Sequence, residues 1–253
     1  MVELLDAFKP ITLEEMKSVK LMNRTDTKFV TNTRKLSQLL EMAQQDYYVQ
    51  DISGQRNLDY DTTYFDTTAF DMYTQHQCGH LNRQKIRFRT YCISDLQFME
   101  VKTKNNHGRT KKKRIEVQPG TDIIHDPEAS AFLAERQPYP VESLIPNLET
   151  AFDRFTLVNY EKTERLTIDC NLTFNNFVSG TSASMDSLVI MELKQDGRAH
   201  SLLKEVLFDL RIKPYKLSKY CIGTAMTRPE VKQNRFKKKL RRINKLKTLN
   251  CKL

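Results

Sequence analysis

The chain has 253 residues, 39% of them hydrophobic and 28% charged, with a formal net charge of +10. That length suits one large β domain or two small ones, and the modest apolar fraction points to a soluble protein with a limited core. No apolar run approaches the roughly 20 residues of a membrane helix, and the opening MVELLDAFKP lacks a basic-then-apolar secretory pattern, so cytoplasmic residence is expected.

Residues 1–22 read as an amphipathic lead-in, in which Thr12-Leu13-Glu14-Glu15 has the form of a capping box that opens a helix. Strand patterns then recur at 24–31, 58–66, 82–91, 96–104, 111–118, 155–160, 163–170 and 188–194. Helical patterns interrupt them at 33–45, 67–77, 127–136, 141–151 and 199–210. Asn105-Asn106-His107-Gly108 reads as a hairpin turn, and 180–186 as a polar loop. The last segment, 231–253, holds ten Lys or Arg and no Asp or Glu, which leaves 31 basic and 31 acidic groups in the preceding 230 residues. The body is therefore formally neutral, and a basic groove in it must come from sorting of charge rather than from excess. In the tail, Phe236, Leu240, Ile243, Leu246 and Leu249 fall at helical spacing among the cations. That pattern is an amphipathic basic helix suited to an anionic membrane surface, an acidic partner or polyphosphate; a disordered, solvated tail fits the composition equally well. Aromatics interleaved for base stacking are missing there, and nucleic acid is not the expected partner.

The five cysteines, Cys78, Cys92, Cys170, Cys221 and Cys251, are odd in number and form no CxxC, which argues for reduced thiols rather than a disulfide or zinc framework. His76 and His80 are spaced for one helix face but lack a nearby third ligand.

Within the strands, charge is written with a period of two. Arg83, Lys85, Arg87 and Arg89 share one face of their run, opposite Ile86 and Phe88. Phe98, Glu100, Lys102 and Lys104 alternate with Met99, Val101 and Thr103. Arg24, Asp26 and Lys28 share a face, as do Lys112, Arg114 and Glu116, then Arg165, Thr167 and Asp169, then Ile190, Glu192 and Lys194. Two arrangements satisfy this pattern. The charged faces can meet water on a half-buried sheet, which is the common case. Alternatively the apolar faces carry the helices and the charged faces line a closed antiparallel barrel. A lumen of Arg and Lys would bind a linear polyanion, and a carboxylate among them is a place for Mg2+ or Mn2+; Glu192 and Glu100 are the strand-face candidates. With seven glycines in all, the chain has neither a GxxxxGK[ST] loop nor a GxGxxG, and it lacks a kinase HRD or DFG set.

The ordered stretches MNRTDTKFV (22–30), TTYFDTTAFDMYTQHQCGHLNRQKIRFRTY (62–91), MEVKTKNNHGRTKKKRIEV (99–117), RLTIDCNL (165–172), VIMELK (189–194) and KPYKLSKY (213–220) resemble the VTC domain. This is the polyphosphate polymerase domain of the vacuolar transporter chaperone complex and its stand-alone bacterial relatives, in the triphosphate tunnel metalloenzyme superfamily. The resemblance implies an α+β fold, a closed eight-stranded antiparallel β-barrel decorated with helices. It divides the chain into a lead-in helix at 1–22, a tunnel domain at 23–228 and a basic C-terminal tail at 229–253, helical or disordered. It also implies that Lys28, Arg87, Arg89, Lys102, Lys112, Arg114, Arg165, Lys216 and Lys219 line the tunnel and hold the triphosphate or growing chain. Among these, Arg87, Arg89, Lys102 and Lys219 grip the ATP phosphates. Glu192 matches the metal-binding glutamate, for Mn2+ or Mg2+. The three-residue spacing of Lys216 and Lys219 suits one helical turn that closes a mouth of the tunnel.

The activity implied is transfer of the γ-phosphate of ATP to inorganic polyphosphate. A tunnel triphosphatase acting on triphosphate, nucleoside triphosphate or short polyphosphate, and a non-catalytic polyphosphate-binding module, are the alternatives. A separate membrane protein that translocates product is the implied partner, and the tail would allow peripheral attachment at the inner face of the membrane. One departure stands out. Hydrolytic members carry ExExK in the first strand, whereas Arg24-Thr25-Asp26-Thr27-Lys28 retains a single carboxylate.

Overall fold

In the computed structural model, which describes residues 2–19, 24–197 and 200–250, the strand alternation resolves into two faces of unlike chemistry. The chain opens with α1 (Val2–Asp6), β1 (Lys9–Thr12), α2 (Leu13–Met16), β2 (Arg24–Asn32), α3 (Thr33–Ala43), β3 (Tyr47–Asp51), β4 (Leu58–Thr67) and α4 (Asp71–Cys78). It continues through β5 (Arg83–Tyr91), β6 (Leu96–Lys104), β7 (Thr110–Val117), α5 (Pro127–Arg136) and a 3-10 turn at Val141–Ser143. The last third holds β8 (Leu144–Asn159), β9 (Glu164–Asn176), β10 (Ser182–Met185), β11 (Leu188–Asp196), α6 (Leu202–Asp209), α7 (Lys219–Thr227) and α8 (Lys237–Asn250). The capping box at Thr12 is present, with Thr12 and Glu15 satisfying each other's backbone N–H.

Eight strands form one antiparallel path in the order β2-β11-β9-β8-β4-β5-β6-β7, with β1, β3 and β10 attached at its margins. On one face, Phe29, Leu157, Leu166, Ile168, Met191 and Leu193 are buried against Leu36, Leu39 and Leu40 of α3 and Leu203 and Leu207 of α6. Further along that face, Phe65, Ile86, Met99 and Val101 are buried against Ala129, Phe132 and Leu133 of α5. Helices therefore cover the apolar face, and the charged face is left inside. Adjacent strands lie about 4.8 Å apart, so a flat sheet would hold Val30 on β2 and Tyr64 on β4 roughly 19 Å from each other. Both nonetheless belong to one buried cluster with Tyr220 and Ile222, so the sheet curls inward around its charged face.

The expected closure is not made by hydrogen bonding: among the described residues no ladder joins β2 to β7. The outer edge of β2 is partly occupied instead, because the Tyr215 N–H donates to the Lys28 carbonyl at 2.6 Å and Pro214 bridges to Phe29. The outer edge of β7 carries Lys111, Lys112, Lys113 and Arg114, all exposed, and such cationic edges resist pairing.

Two local expectations are corrected. Residues 141–151 are not a helix; after the 3-10 turn they begin β8, which pairs with β3, β4 and β9. Pro146 cannot donate to a ladder, and the register with β4 shifts beside it. The loop at 180–186 contains β10, paired with an extension of β9 that runs on to Asn176.

One end of the interior is apolar and filled by α7. Leu217, Tyr220 and Cys221 pack with Tyr64, Leu148, Phe152 and Phe174. Gly223 allows this approach, since a Cβ there would lie 2.5 Å from Phe174 and 2.6 Å from Leu148. The basic tail belongs to the same cluster. Phe236 and Ile243 are buried in it, Leu240 and Leu246 partly so, and α8 is a docked helix rather than a solvated tail.

Two substitutions test these contacts. Gly223→Val should lower stability by about 1–3 kcal/mol through overpacking. Ile243→Ala should cost about 2–5 kcal/mol, as for a large side chain removed from a core. Both are read from the urea midpoint; an unchanged midpoint in Ile243→Ala would mean that α8 is not part of the folded body.

Candidate functional site

The charged face is organised around three carboxylates. On β6, Glu100 is fully buried; its Oε2 accepts from Arg87 Nε at 2.8 Å and Nη2 at 2.6 Å, and its Oε1 accepts from Lys112 Nζ at 3.0 Å. On β9, buried Asp169 accepts from Arg154 of β8 at 2.6 and 2.9 Å and pairs with Lys219 at 2.8 Å. On β11, Glu192 pairs with Lys28 of β2, and Lys194 lies 3.8 Å away. Strand pairing dictates these partners: Arg87 is directly opposite Glu100, Arg154 opposite Asp169, and Lys28 opposite Glu192.

Burial by itself would raise the pKa of each carboxylate, but the surrounding cations outweigh it. Arg87, Arg89, Lys102 and Lys112 hold Glu100 well below the usual range, and Arg154 and Lys219 do the same for Asp169. Lys28 and Lys194 pull Glu192 down to about 2.

Cations still outnumber these carboxylates. Lys85, Lys102 and Lys112 stand directly opposite one another across β5, β6 and β7, a row of like charges that is unfavourable without a counter-ion. Lys112 is relieved by Glu100, and Lys85 donates to Ser218 Oγ at 2.7 Å. Lys102 has no carboxylate within ion-pair distance among the described residues; burial, then Arg87 and Arg89, push it down to about 5. Arg89 is buried against the faces of Tyr60 and Phe152 and reaches only Thr62 Oγ1 at 3.4 Å. Burial, then Arg87 and Arg154, push it down to about 10.

Of the expected residues, Arg87, Arg89, Lys102 and Lys112 come together around Glu100, and Lys219 and Lys28 join the other two carboxylates. Arg165 lies on the same face, opposite Lys194. Arg114, opposite Glu100, is exposed and stacks on Phe98 at 4.3 Å. Lys216 stands apart: it is exposed and precedes α7, which begins at Lys219 because the Ser218 side chain caps it by accepting from the Cys221 N–H. The two lysines therefore do not share a helical turn. Arg154 escaped the sequence reading because the strand was begun one residue after it; the alternation of Arg154 and Thr156 against Phe155 and Leu157 is the signal that finds it.

For a divalent ion, Glu100 is a poor ligand, since both oxygens already accept from cations. The described residues contain no cluster of three or more metal-ligating side chains. Glu192 keeps about a quarter of its side chain exposed (26%) and its carboxylate is paired with lysines, which fits an ion held by one carboxylate with phosphate oxygens and water, as Mg2+ often is.

A family model described as the VTC domain matches residues 23–228. No curated protein sequence matches the chain. Among solved structures, a candidate adenylyl cyclase of Hippeastrum, reported to have a dominant triphosphatase activity, aligns over 81% of this chain and 97% of its own, at 14% identity and a TM-score of 0.50. A candidate adenylate cyclase of Vibrio parahaemolyticus aligns over 81% and 99%, at 13% identity and a TM-score of 0.46. At such identity the Hippeastrum likeness shows a common fold and nothing more.

Because all three carboxylates are depressed in the folded state, their stabilisation is complete above the ordinary carboxylate range and drains away as pH falls through the folded values. The urea midpoint should decline steeply from about pH 4 towards 2. Glu100→Gln strands Arg87 without its counter-charge, so it should cost about 3–5 kcal/mol at neutral pH and flatten that decline.

Proposed function

The chain belongs to the VTC domain family, in the triphosphate tunnel fold, and on that premise we propose that it is a polyphosphate polymerase, transferring the γ-phosphoryl group of ATP to an inorganic polyphosphate chain. The observation that carries this reading is the pair of basic groups left without a carboxylate, Arg89 and Lys102, inside a face whose carboxylates are already committed. Arg89 is a buried cation without a counter-charge, and Lys102, its pKa pushed down to about 5, is neutral at pH 7 until an anion enters; a linear polyanion threaded past them stabilises the charge of the first and the protonated form of the second.

In the proposed reaction the bond between the γ-phosphorus and its bridging oxygen breaks, a terminal oxygen of the acceptor chain bonds to that phosphorus, and ADP leaves. The acceptor oxygen is already anionic at neutral pH, so no general base is required. The difficulty is repulsion between two phosphate anions, which Arg and Lys offset while holding them in line. Arg87, Arg89, Lys102 and Lys219 are assigned to the ATP phosphates, with Lys28, Lys112, Arg114 and Arg165 along the chain. Mn2+ or Mg2+ held by Glu192 would add charge neutralisation at the leaving diphosphate. Lys216, being exposed, is assigned to the mouth. A separate membrane protein that carries the product away is the proposed partner, on the strength of the family membership alone.

The fold neighbour with triphosphatase activity makes hydrolysis the second reading. Against it stands the first strand, where the carboxylate left from ExExK, Asp26, is exposed. The interior acid on the strand next to Glu192 is Asp169, and it is already committed to Arg154 and Lys219, so no free carboxylate stands beside Glu192 to position a hydrolytic water.

Incubation of the purified protein with ATP and Mn2+, followed by sizing of the products, separates the readings: long chains support the polymerase, and orthophosphate alone supports the triphosphatase. Arg89→Ala is the sharpest variant because no buried carboxylate loses its partner, so the fold is retained. At about 1.5–3 kcal/mol for a charge-assisted bond, synthesis should fall at least tenfold. Glu192→Gln should abolish the response to metal. A folded Arg89→Ala protein with full activity would remove the assignment.

A further inference from the structure

Docking of α8 by its apolar residues leaves the opposite side of the helix outward. That side presents Lys237, Lys238, Arg241 and Lys245, all exposed, together with Asn244 and, beyond them, Thr248. These cations run along about 12 Å of helix, at 1.5 Å per residue. One flank of the stripe meets the interior. Lys239 Nζ donates to the Lys216 carbonyl at 2.8 Å, and Arg242 stacks on Tyr215 at 4.5 Å, on the segment that leads into α7.

A group of cations lies beside that junction, at the ends of β5 and β6. Arg83 is directly opposite Lys104, and Lys85 reaches Ser218 at the start of α7. Burial, then Arg83 and Lys216, lower the pKa of Lys104; burial is also the first cause for Lys239, which feels Arg83, Lys85 and Lys216. Arg83, Lys85, Lys104, Lys216 and Lys239 thus form one cluster. None of them, and none of the α8 stripe, has a carboxylate within ion-pair distance among the described residues. The nearby His76, partly buried among these cations, is held neutral and adds no further positive charge.

We propose that the outer face of α8, joined to the interior through this junction, is a second binding surface for the same linear polyphosphate, carrying the part of the chain that lies outside the sheet. The inference rests on the polymerase reading and adds to it a length-dependent site. Two features favour a linear polyanion over a lipid surface. The stripe is continuous with the cations at the mouth, and among the residues whose side chains are described the apolar ones of the helix, Leu240, Ile243 and Leu246, are spent on the protein core rather than offered to a bilayer; Leu249 lies outside them.

The test compares the full chain with Lys238→Gln/Arg241→Gln/Lys245→Gln, using long-chain polyphosphate and tripolyphosphate as separate ligands over a range of salt. The altered side chains are exposed and away from the interior, so the thermal midpoint should be unchanged. Long-chain affinity should fall at least tenfold and its log–log salt slope by roughly 2 to 3, as for three lost phosphate contacts, while tripolyphosphate affinity stays as in the wild type. A charge-conserving control, Lys238→Arg/Arg241→Lys/Lys245→Arg, should keep long-chain affinity. Unchanged long-chain affinity in the glutamine variant overturns the inference and leaves the polymerase reading standing. So does unchanged affinity with lost sedimentation on phosphatidylglycerol vesicles, which assigns the face to lipid. Failure of the wild type to bind either phosphate ligand overturns both.

Discussion

Glu100 is the constraint around which the interior is arranged. It is fully buried, and it stands opposite Arg87 on one neighbouring strand and Arg114 on the other, with the row Lys85–Lys102–Lys112 alongside. Two like charges 4 Å apart cost roughly 4 kcal/mol at the effective dielectric of a protein site, so an uncompensated block of this kind would not stay together. One carboxylate accepting from Arg87 and Lys112 at once makes the block tolerable. Asp169 does the same for Arg154 and Lys219, and Glu192 for Lys28 and Lys194. The carboxylates are few, and Arg89 and Lys102 are left without one among the described residues.

The sheet also separates its two chemistries by position. Its outer face is sealed by α3, α6 and α5, while the inner face is charged in the middle and apolar where α7 enters. Lys219 marks the boundary: it reaches Asp169 while sitting over the Phe152 ring, and Tyr220, next in sequence, stacks on Tyr64 and donates to Asp66 at 2.5 Å. The helix that closes one end therefore brings a cation to the site and an aromatic to the core on adjacent residues.

Much of this was legible from alternation. The charged faces of β2, β5, β6, β7, β9 and β11 follow from a period of two, and the strands at 24–31, 58–66 and 96–104 lie where that period places them. The N-cap at Thr12 and the turn ending in Gly108, whose φ is 78°, carry their own local signals. Legibility failed where local pattern and tertiary role diverge. Residues 141–151 carry apolar residues at helical spacing, yet from Leu144 on they form a strand that packs Leu148 with α7 on one face and Leu144 with α5 on the other. Arg154 was missed because its strand was read as starting late, and β1, β3 and β10 are short margins whose pairing depends on distant partners.

What the sequence determined by itself is therefore a set of two-faced strands, a neutral body with its charge sorted, a basic amphipathic tail and the residues of a family. Alternation reports only that two faces differ; it carries no information on which face is inside. That choice belongs to the tertiary structure, where the helices bury the apolar face and the sheet curls to leave the cations within. The same is true of the individual charges. Whether a lysine is paired, as Lys112 and Lys28 are, or left without a carboxylate, as Lys102 is, depends on which residue faces it across a ladder. Likewise the tail's cations became a surface only when its apolar residues found the core, because a helix shows its charged face by burying the other.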